Sequence, residues 1–150
     1  MSQSHSYVLE IAAPSPAESR DFMLAKLSHH TDAWDVAEDL RRRVDAIVVI
    51  DARSEDYYVR AHIPGAMNFP HRTMTETSTT QLNRDKTYVV YCDGIGCNAS
   101  TKGAYKLASL GFKVKELLGG LDFWLRDGHP VATGATAGSM ADTLQVECAC

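Results

Sequence analysis

At 150 residues the chain is long enough for one domain with a core of its own. Apolar residues at 45% and charged residues at 23% give the composition of an ordinary globular domain. Fifteen basic against nineteen acidic residues leave a formal charge of −4, which argues against nucleic acid or an anionic membrane as the main partner.

Residues 1 to about 13 read as loose, with neither the basic start nor the apolar core of a secretion leader. No segment has the length of a membrane span. The expected location is therefore a reducing cytoplasm, where structural disulfides are uncommon. Cys92, Cys97, Cys148 and Cys150 then need another explanation: reactivity, metal or packing.

Ser15-Pro16-Ala17-Glu18 is a helix start, with Ser15 as cap, Pro16 in the first helical position and Glu18 closing a capping box. Phe22, Leu24 and Leu27 give that helix an apolar side, and His29-His30 reads as a helix end rather than a metal site. Thr31 to Trp34 has the look of a short edge strand. Asp35-Val36-Ala37-Glu38 repeats the cap-then-acid pattern, so a helix is expected to about Arg42, with Arg41-Arg42-Arg43 as its solvated end. Ala46 to Ile50 is an unbroken, mostly β-branched run, which suits a strand buried on both faces. Asp51-Ala52-Arg53 ends it, and Ser54 opens a short helix through Tyr57 and Tyr58. Ile63-Pro64-Gly65-Ala66 is a turn, with His62 anchoring it. Met67 to Phe69 is a short strand, and residues 71 to 86 form a Thr-rich surface connection. Thr87 to Tyr91 is a second buried strand. Ala99 to Leu110 is a helix stopped by Gly111. Val114 to Leu118 is a third strand, and Leu121 to Arg126 a short helix that places Phe123 and Trp124 in the core. From Ala132 small residues dominate, and order is expected to fade along a flexible tail, 132–150.

Strands alternating with helices imply an α/β fold, a parallel β-sheet flanked by helices on both faces. Ligands bind such sheets beyond the carboxyl ends of the strands. Asp51, Cys92 and Gly119 all lie at those ends and are expected around one crevice.

Cys92 follows the central apolar run and precedes the loop Asp93-Gly94-Ile95-Gly96-Cys97-Asn98. A thiol attacks as its thiolate. The helix opening near Ala99 offers its positive end, and Gly94 and Gly96 permit a loop whose N–H groups turn inward as a nest for an anion. A reactive Cys92 is favoured over a packed apolar one. The same loop matches a dinucleotide fingerprint, Gly94-Ile95-Gly96-Cys97-Asn98-Ala99, but too little chain follows for the βαβ array that fold needs. A phosphate loop fails because Thr101, not Gly, precedes Lys102.

Three stretches together resemble the rhodanese, or sulfurtransferase, family: Val48 to Arg53 with His62 to Ala66, Val89 to Cys92, and Leu110 to Pro130 with its Leu-Gly-Phe, Gly-Gly-Leu-Asp-Phe-Trp and Gly-His-Pro segments. The resemblance covers about residues 31–131. It makes residues 1–30 an N-terminal extension with one helix, left either to cover the sheet or to pair two copies as a homodimer. It resembles single-domain members with a second cysteine in the loop. The resemblance implies the parallel sheet already read from the pattern, no cofactor, no metal, and Cys92 as nucleophile. It implies two steps: the Cys92 thiolate takes the outer sulfur of a donor such as thiosulfate, and cyanide or a cellular thiol removes it from the persulfide. The N–H groups of the loop Asp93 to Asn98 would hold the terminal sulfur. Many members have a shorter loop, often with an arginine near its end. Its absence here weakens a site for a strongly anionic donor, Asp93 adds a repelling charge, and Lys102 compensates in part. The same absence counts against the related dual-specificity phosphatases.

Cys97 has three readings: a resolving thiol that forms a disulfide with Cys92, a thiol that receives or passes on sulfur, or a loop thiol without a role. Cys148 and Cys150 can relay persulfide, guard the loop, join a thiolate zinc site with Cys92 and Cys97, or be incidental. Asp51 and Arg53 are expected to pair and to support the loop from behind. Two alternatives to sulfur transfer remain: a thiol redox or peroxide-sensing protein cycling a Cys92–Cys97 disulfide, and a non-catalytic binding module.

Overall fold

The computed structural model describes residues 4–148. Five parallel strands form one sheet in the order β1-β5-β4-β2-β3. They are β1 (His30–Thr31), β2 (Ile47–Asp51), β3 (Met67–Asn68), β4 (Thr87–Tyr91) and β5 (Lys113–Leu117). The helices are α1 (Pro16–His29), α2 (Ala33–Arg41), α3 (Glu55–Arg60), α4 (Ala99–Ser109) and α5 (Gly120–Arg126), with a 3-10 turn at His71–Thr73.

Alternation along the central strands builds two cores. Val49, Val89, Tyr91 and Leu117 face Ala33, Val36, Ala37, Leu121 and Trp124 of α2 and α5. Ile50, Tyr88 and Val90 face the other way, toward Leu107 of α4, Phe112, Phe69 and the connection after β3. Strands buried on both sides need continuous apolar runs, which is why the two central ones were readable. From β2 the chain steps outward to β3, then returns past β2 to β4 and moves on to β5. The turning point of the sheet thus lies between β2 and β4, whose ends are paired as Asp51↔Tyr91.

The capping box of α1 forms as expected: Ser15 Oγ accepts from Glu18 N–H at 3.3 Å, and Glu18 Oε2 accepts from Ser15 N–H at 3.0 Å. Yet α1 buries none of its residues, and Phe22, Leu24 and Leu27 stay exposed. Other expectations shift. The cap of α2 is Asp32, which accepts from Asp35 N–H at 2.9 Å, so the helix starts ahead of Asp35 and leaves β1 only two residues. The connection 71–86 is not merely superficial, since Met74, Thr79 and Leu82 are buried. Residues 132–148, expected to lose order, lie against the domain. Ala132 and His62 form a bridge, Gly65 N–H donates to Ala137 O at 2.7 Å, Trp34 Nε1–H donates to Val146 O at 3.1 Å, and Met140 is buried. His62 anchors its turn through this segment, with Nδ1 2.8 Å from Tyr58 O and Nε2 3.0 Å from Thr136 O. Polar backbone contacts of this kind leave no apolar periodicity in the sequence.

The pair Gly119-Gly120 joins β5 to α5 with φ of +74° and +54°. A Cβ on Gly120 would stand 2.2 Å from Cys92 O. That closeness lets Leu121 N–H donate to Cys92 O at 3.0 Å and Asp122 N–H to Asp93 O at 2.8 Å. Gly120→Ala combines overlap with a left-handed backbone and is expected to cost about 2–5 kcal/mol, seen as a lower urea midpoint with an unchanged slope.

Candidate active site

Asp51 and Cys92 stand at the ends of paired strands, and Leu121 N–H beyond the Gly119-Gly120 turn donates to Cys92 O. The crevice expected around all three is not formed by them, since Asp51 and Cys92 are buried. Asp51 ends β2 fully buried, and four donors reach its carboxylate: Arg53 N–H (3.0 Å), Arg53 Nε (3.0 Å), Arg53 Nη2 (2.8 Å) and the Tyr91 hydroxyl (2.7 Å). Arg53 continues to Ala61 O at 2.6 Å and, at 3.4 Å, to the carboxylate of Asp93. Burial disfavours the guanidinium charge, but Asp51 outweighs it. The expected Asp51–Arg53 pair thus exists, and it reaches into the loop through Asp93.

Cys92 follows Tyr91 at the rim of the sheet and is 1% exposed. Its sulfur lies 3.2 Å from Ser100 Oγ and 3.1 Å from Cys97 O, with Gly94 O at 3.9 Å. This differs from the expected nest. Carbonyl oxygens of the loop, not its N–H groups, face the Cys92 sulfur. Neither Gly94 nor Gly96 takes a positive φ; instead Cys97 N–H closes a turn onto Gly94 O at 3.1 Å, which leaves carbonyls pointing inward. Burial pushes the Cys92 thiol up, against the opposing pull of hydrogen bonds from the Ser100 side chain and N–H. The Cys92 thiol donates to the Cys97 carbonyl.

Cys97 is the reverse case. Burial raises it, but the N–H of Ala99 at the start of α4, the Cys92 thiol and the N–H of Asp93 together bring it below the ordinary thiol range. Cys97 is half-buried and lines two depressions. One is formed by Arg53, Ser54, Tyr57, His71, Arg72 and Asp93, with a volume of about 470 Å³. The other lies toward α5 and is formed by Gly94, Ile95, Gly96, Asp122, Phe123 and Arg126. Cys92 lines neither. Phe123, expected in the core, turns outward into the second depression, while Trp124 is fully buried as expected.

Burial, followed by the charges of Lys106, Lys102 and Arg72, pushes the His71 imidazole down, and the first depression is lined by basic Arg53 and Arg72 together with acidic Asp93. Lys102 lines neither depression and acts only at a distance. Asn98 precedes α4 without making a side-chain cap. Cys148 lies elsewhere, in a hollow with Asp32, Ala33, Trp34 and His129, and Cys150 is outside the described residues. Among the described residues, no group of three or more His, Cys, Asp or Glu side chains is placed to hold a metal. Ser100, Tyr91, His71, Arg72 and Tyr57 were not anticipated. Ser100 was accessible to reasoning, since it sits in the first turn of the helix that follows the loop.

A parallel α/β domain with a cysteine at the turning point of its sheet, under a loop that runs into a helix, defines the class. The rhodanese-like domain model matches residues 36–127, and the chain belongs to that family. It is 33% identical over 112 residues to thiosulfate sulfurtransferase GlpE of Coxiella burnetii, covering 73% of this chain and 95% of that protein. It is 34% identical over 108 residues to the HTH-type transcriptional regulator Rv0324 of Mycobacterium tuberculosis, covering 71% of this chain but only 47% of the regulator, about half its length. The structure of the BH2092 protein from Bacillus halodurans superposes with a TM-score of 0.77 at 37% identity, over 87% of this chain and 93% of that one.

Two expectations follow. Asp51→Asn leaves the buried Arg53 guanidinium without its counter-charge and costs about 3–5 kcal/mol in urea unfolding. Iodoacetamide at neutral pH modifies Cys97 first, because its thiolate forms below the ordinary thiol range; Cys92 reacts only as the pH rises past that range. Ser100→Ala moves the Cys92 profile to still higher pH and leaves that of Cys97 in place. Equal labelling of both thiols at pH 7, mapped by peptide mass, would contradict this.

Proposed function

We propose that the chain is a sulfurtransferase of the thiosulfate sulfurtransferase type. It moves a sulfane sulfur from a donor such as thiosulfate to a thiol or to cyanide through a persulfide on Cys92. The observation that carries this reading is the position of Cys92, which leaves β4 at the turning point of the sheet with a hydroxyl and an N–H of Ser100 directed at its sulfur. Membership in the rhodanese-like family and the likeness to a thiosulfate sulfurtransferase support it.

The sulfur moves without net redox change. Its bond to the donor breaks, sulfite departs with the electron pair, and a Cys–S–S bond forms. Cyanide attacks the outer sulfur, thiocyanate departs, and the cysteine is regenerated. No cofactor takes part. Arg53 and Arg72 in the first depression favour an anionic donor, and the Arg53–Asp93 pair offsets the acidic side chain in the loop. The loop Asp93 to Asn98 encloses the donor, and Asp51 and Arg53 hold that loop from behind.

Incubation of the reduced protein with thiosulfate, followed by intact mass and peptide mapping, tests this. One added sulfur on Cys92, removed by cyanide, is the expected result. Loss of two hydrogens between Cys92 and Cys97 with no added sulfur would assign the chain to thiol redox chemistry instead.

A further inference from the structure

The reading above leaves a steric problem. The sulfur that is to carry the persulfide is buried, and its nearest polar neighbours on the loop side are carbonyl oxygens that repel an anion. The thiol that meets both depressions is Cys97. The two cysteines are hydrogen-bonded to one another, through the Cys92 thiol and the Cys97 backbone at 3.1 Å. A donor seated beside Arg53, Arg72 and Tyr57 meets Cys97 before it can meet Cys92.

We infer that Cys97 is a catalytic residue: it takes the sulfur from the anionic donor and passes it inward to Cys92. This rests on the proposed sulfurtransferase function and specifies how the sulfur arrives. In the first step the Cys97 thiolate attacks the outer sulfur of thiosulfate. The Cys97 S–S bond forms, the donor S–S bond breaks, and sulfite leaves with the electron pair. In the second step the Cys92 proton passes to the terminal sulfur of the Cys97 persulfide. Cys92 attacks that sulfur, the bond to Cys97 breaks, and Cys97 departs as its thiolate. Cys92 now carries the –S–SH group. One sulfane sulfur moves twice, and no oxidant or reductant is consumed.

The direction follows from general thiol chemistry. A sulfur with low proton affinity is the better leaving group, and one with high proton affinity the stronger nucleophile. The half-buried Cys97, which lines both depressions beside the opening N–H of α4, is suited to the former role, and the buried Cys92, whose thiol donates to the Cys97 carbonyl, to the latter. Transfer therefore runs inward, and the sulfur comes to rest where solvent and stray thiols reach it least.

Single-turnover loading with thiosulfate, quenched at intervals with an alkylating agent and mapped by peptide mass, tests the relay. In the wild type, sulfur is expected on Cys97 first and on Cys92 later. Cys92→Ser is expected to accumulate it on Cys97 at the wild-type rate. Cys97→Ser and Cys97→Ala, each checked for an unchanged urea midpoint, are expected to load Cys92 at least tenfold more slowly. Loading of Cys92 at the wild-type rate in both Cys97 variants overturns the relay and leaves the Cys92 persulfide standing. A wild type that gains no sulfur on Cys92 removes the underlying function and the relay together.

Discussion

The buried carboxylate of Asp51 is the fixed point of this molecule. A full negative charge without solvent is tolerated only where donors surround it. Arg53 and Tyr91 supply them, and each has a second duty. Tyr91 is the residue before Cys92, and its hydroxyl also accepts from Ile63 N–H at 3.0 Å. Arg53 reaches the end of α3 through Ala61 O and the loop through Asp93. One ionised group thus ties together the ends of the two central strands, the turn after α3 and the root of the loop. Burial and the neighbouring Asp51 charge push the Tyr91 phenol far above its ordinary range, so it keeps its proton and donates it to Asp51 while its oxygen accepts from Ile63 N–H.

From this anchor the two thiols acquire opposite characters. They are five residues apart and share a loop, yet one faces inward carbonyls and the other the opening N–H of a helix. Chain direction produces this. A strand that ends at the rim presents its next side chain to the interior, whereas the residues just before a helix lie near its unsatisfied donors.

The central strands could be read because burial on both sides forces apolar runs, as in residues 47–50 and 88–91. The edge strand His30–Thr31 carries no such signal, and Asp35, an acid three residues beyond the true cap Asp32, reads in the sequence as the cap of α2. Cys92 could be located from strand, glycine and helix in succession. Its protonation could not, because that depends on whether the loop turns carbonyls or N–H groups inward, and glycine permits both. Phe123 and Trp124 are adjacent and equally apolar in sequence; only the pitch of α5 sends one to the core and the other to the depression. His71 and Arg72 meet Cys97 solely through the topology, across a connection that read as solvent-facing.

The backbone bonds from Leu121 and Asp122 to Cys92 and Asp93 secure the upstream end of the loop, and Lys102 N–H bonded to Asn98 O at 3.0 Å secures the downstream end. Residues 94–98 between them belong to neither apolar core. The segment is consequently a replaceable cassette. Its length and chemistry can change while the frame keeps its stability, because little apolar burial is lost and loop closure costs only about 0.6 kcal/mol per doubling of length. Selection can therefore tune what this fold reacts with almost independently of whether it folds.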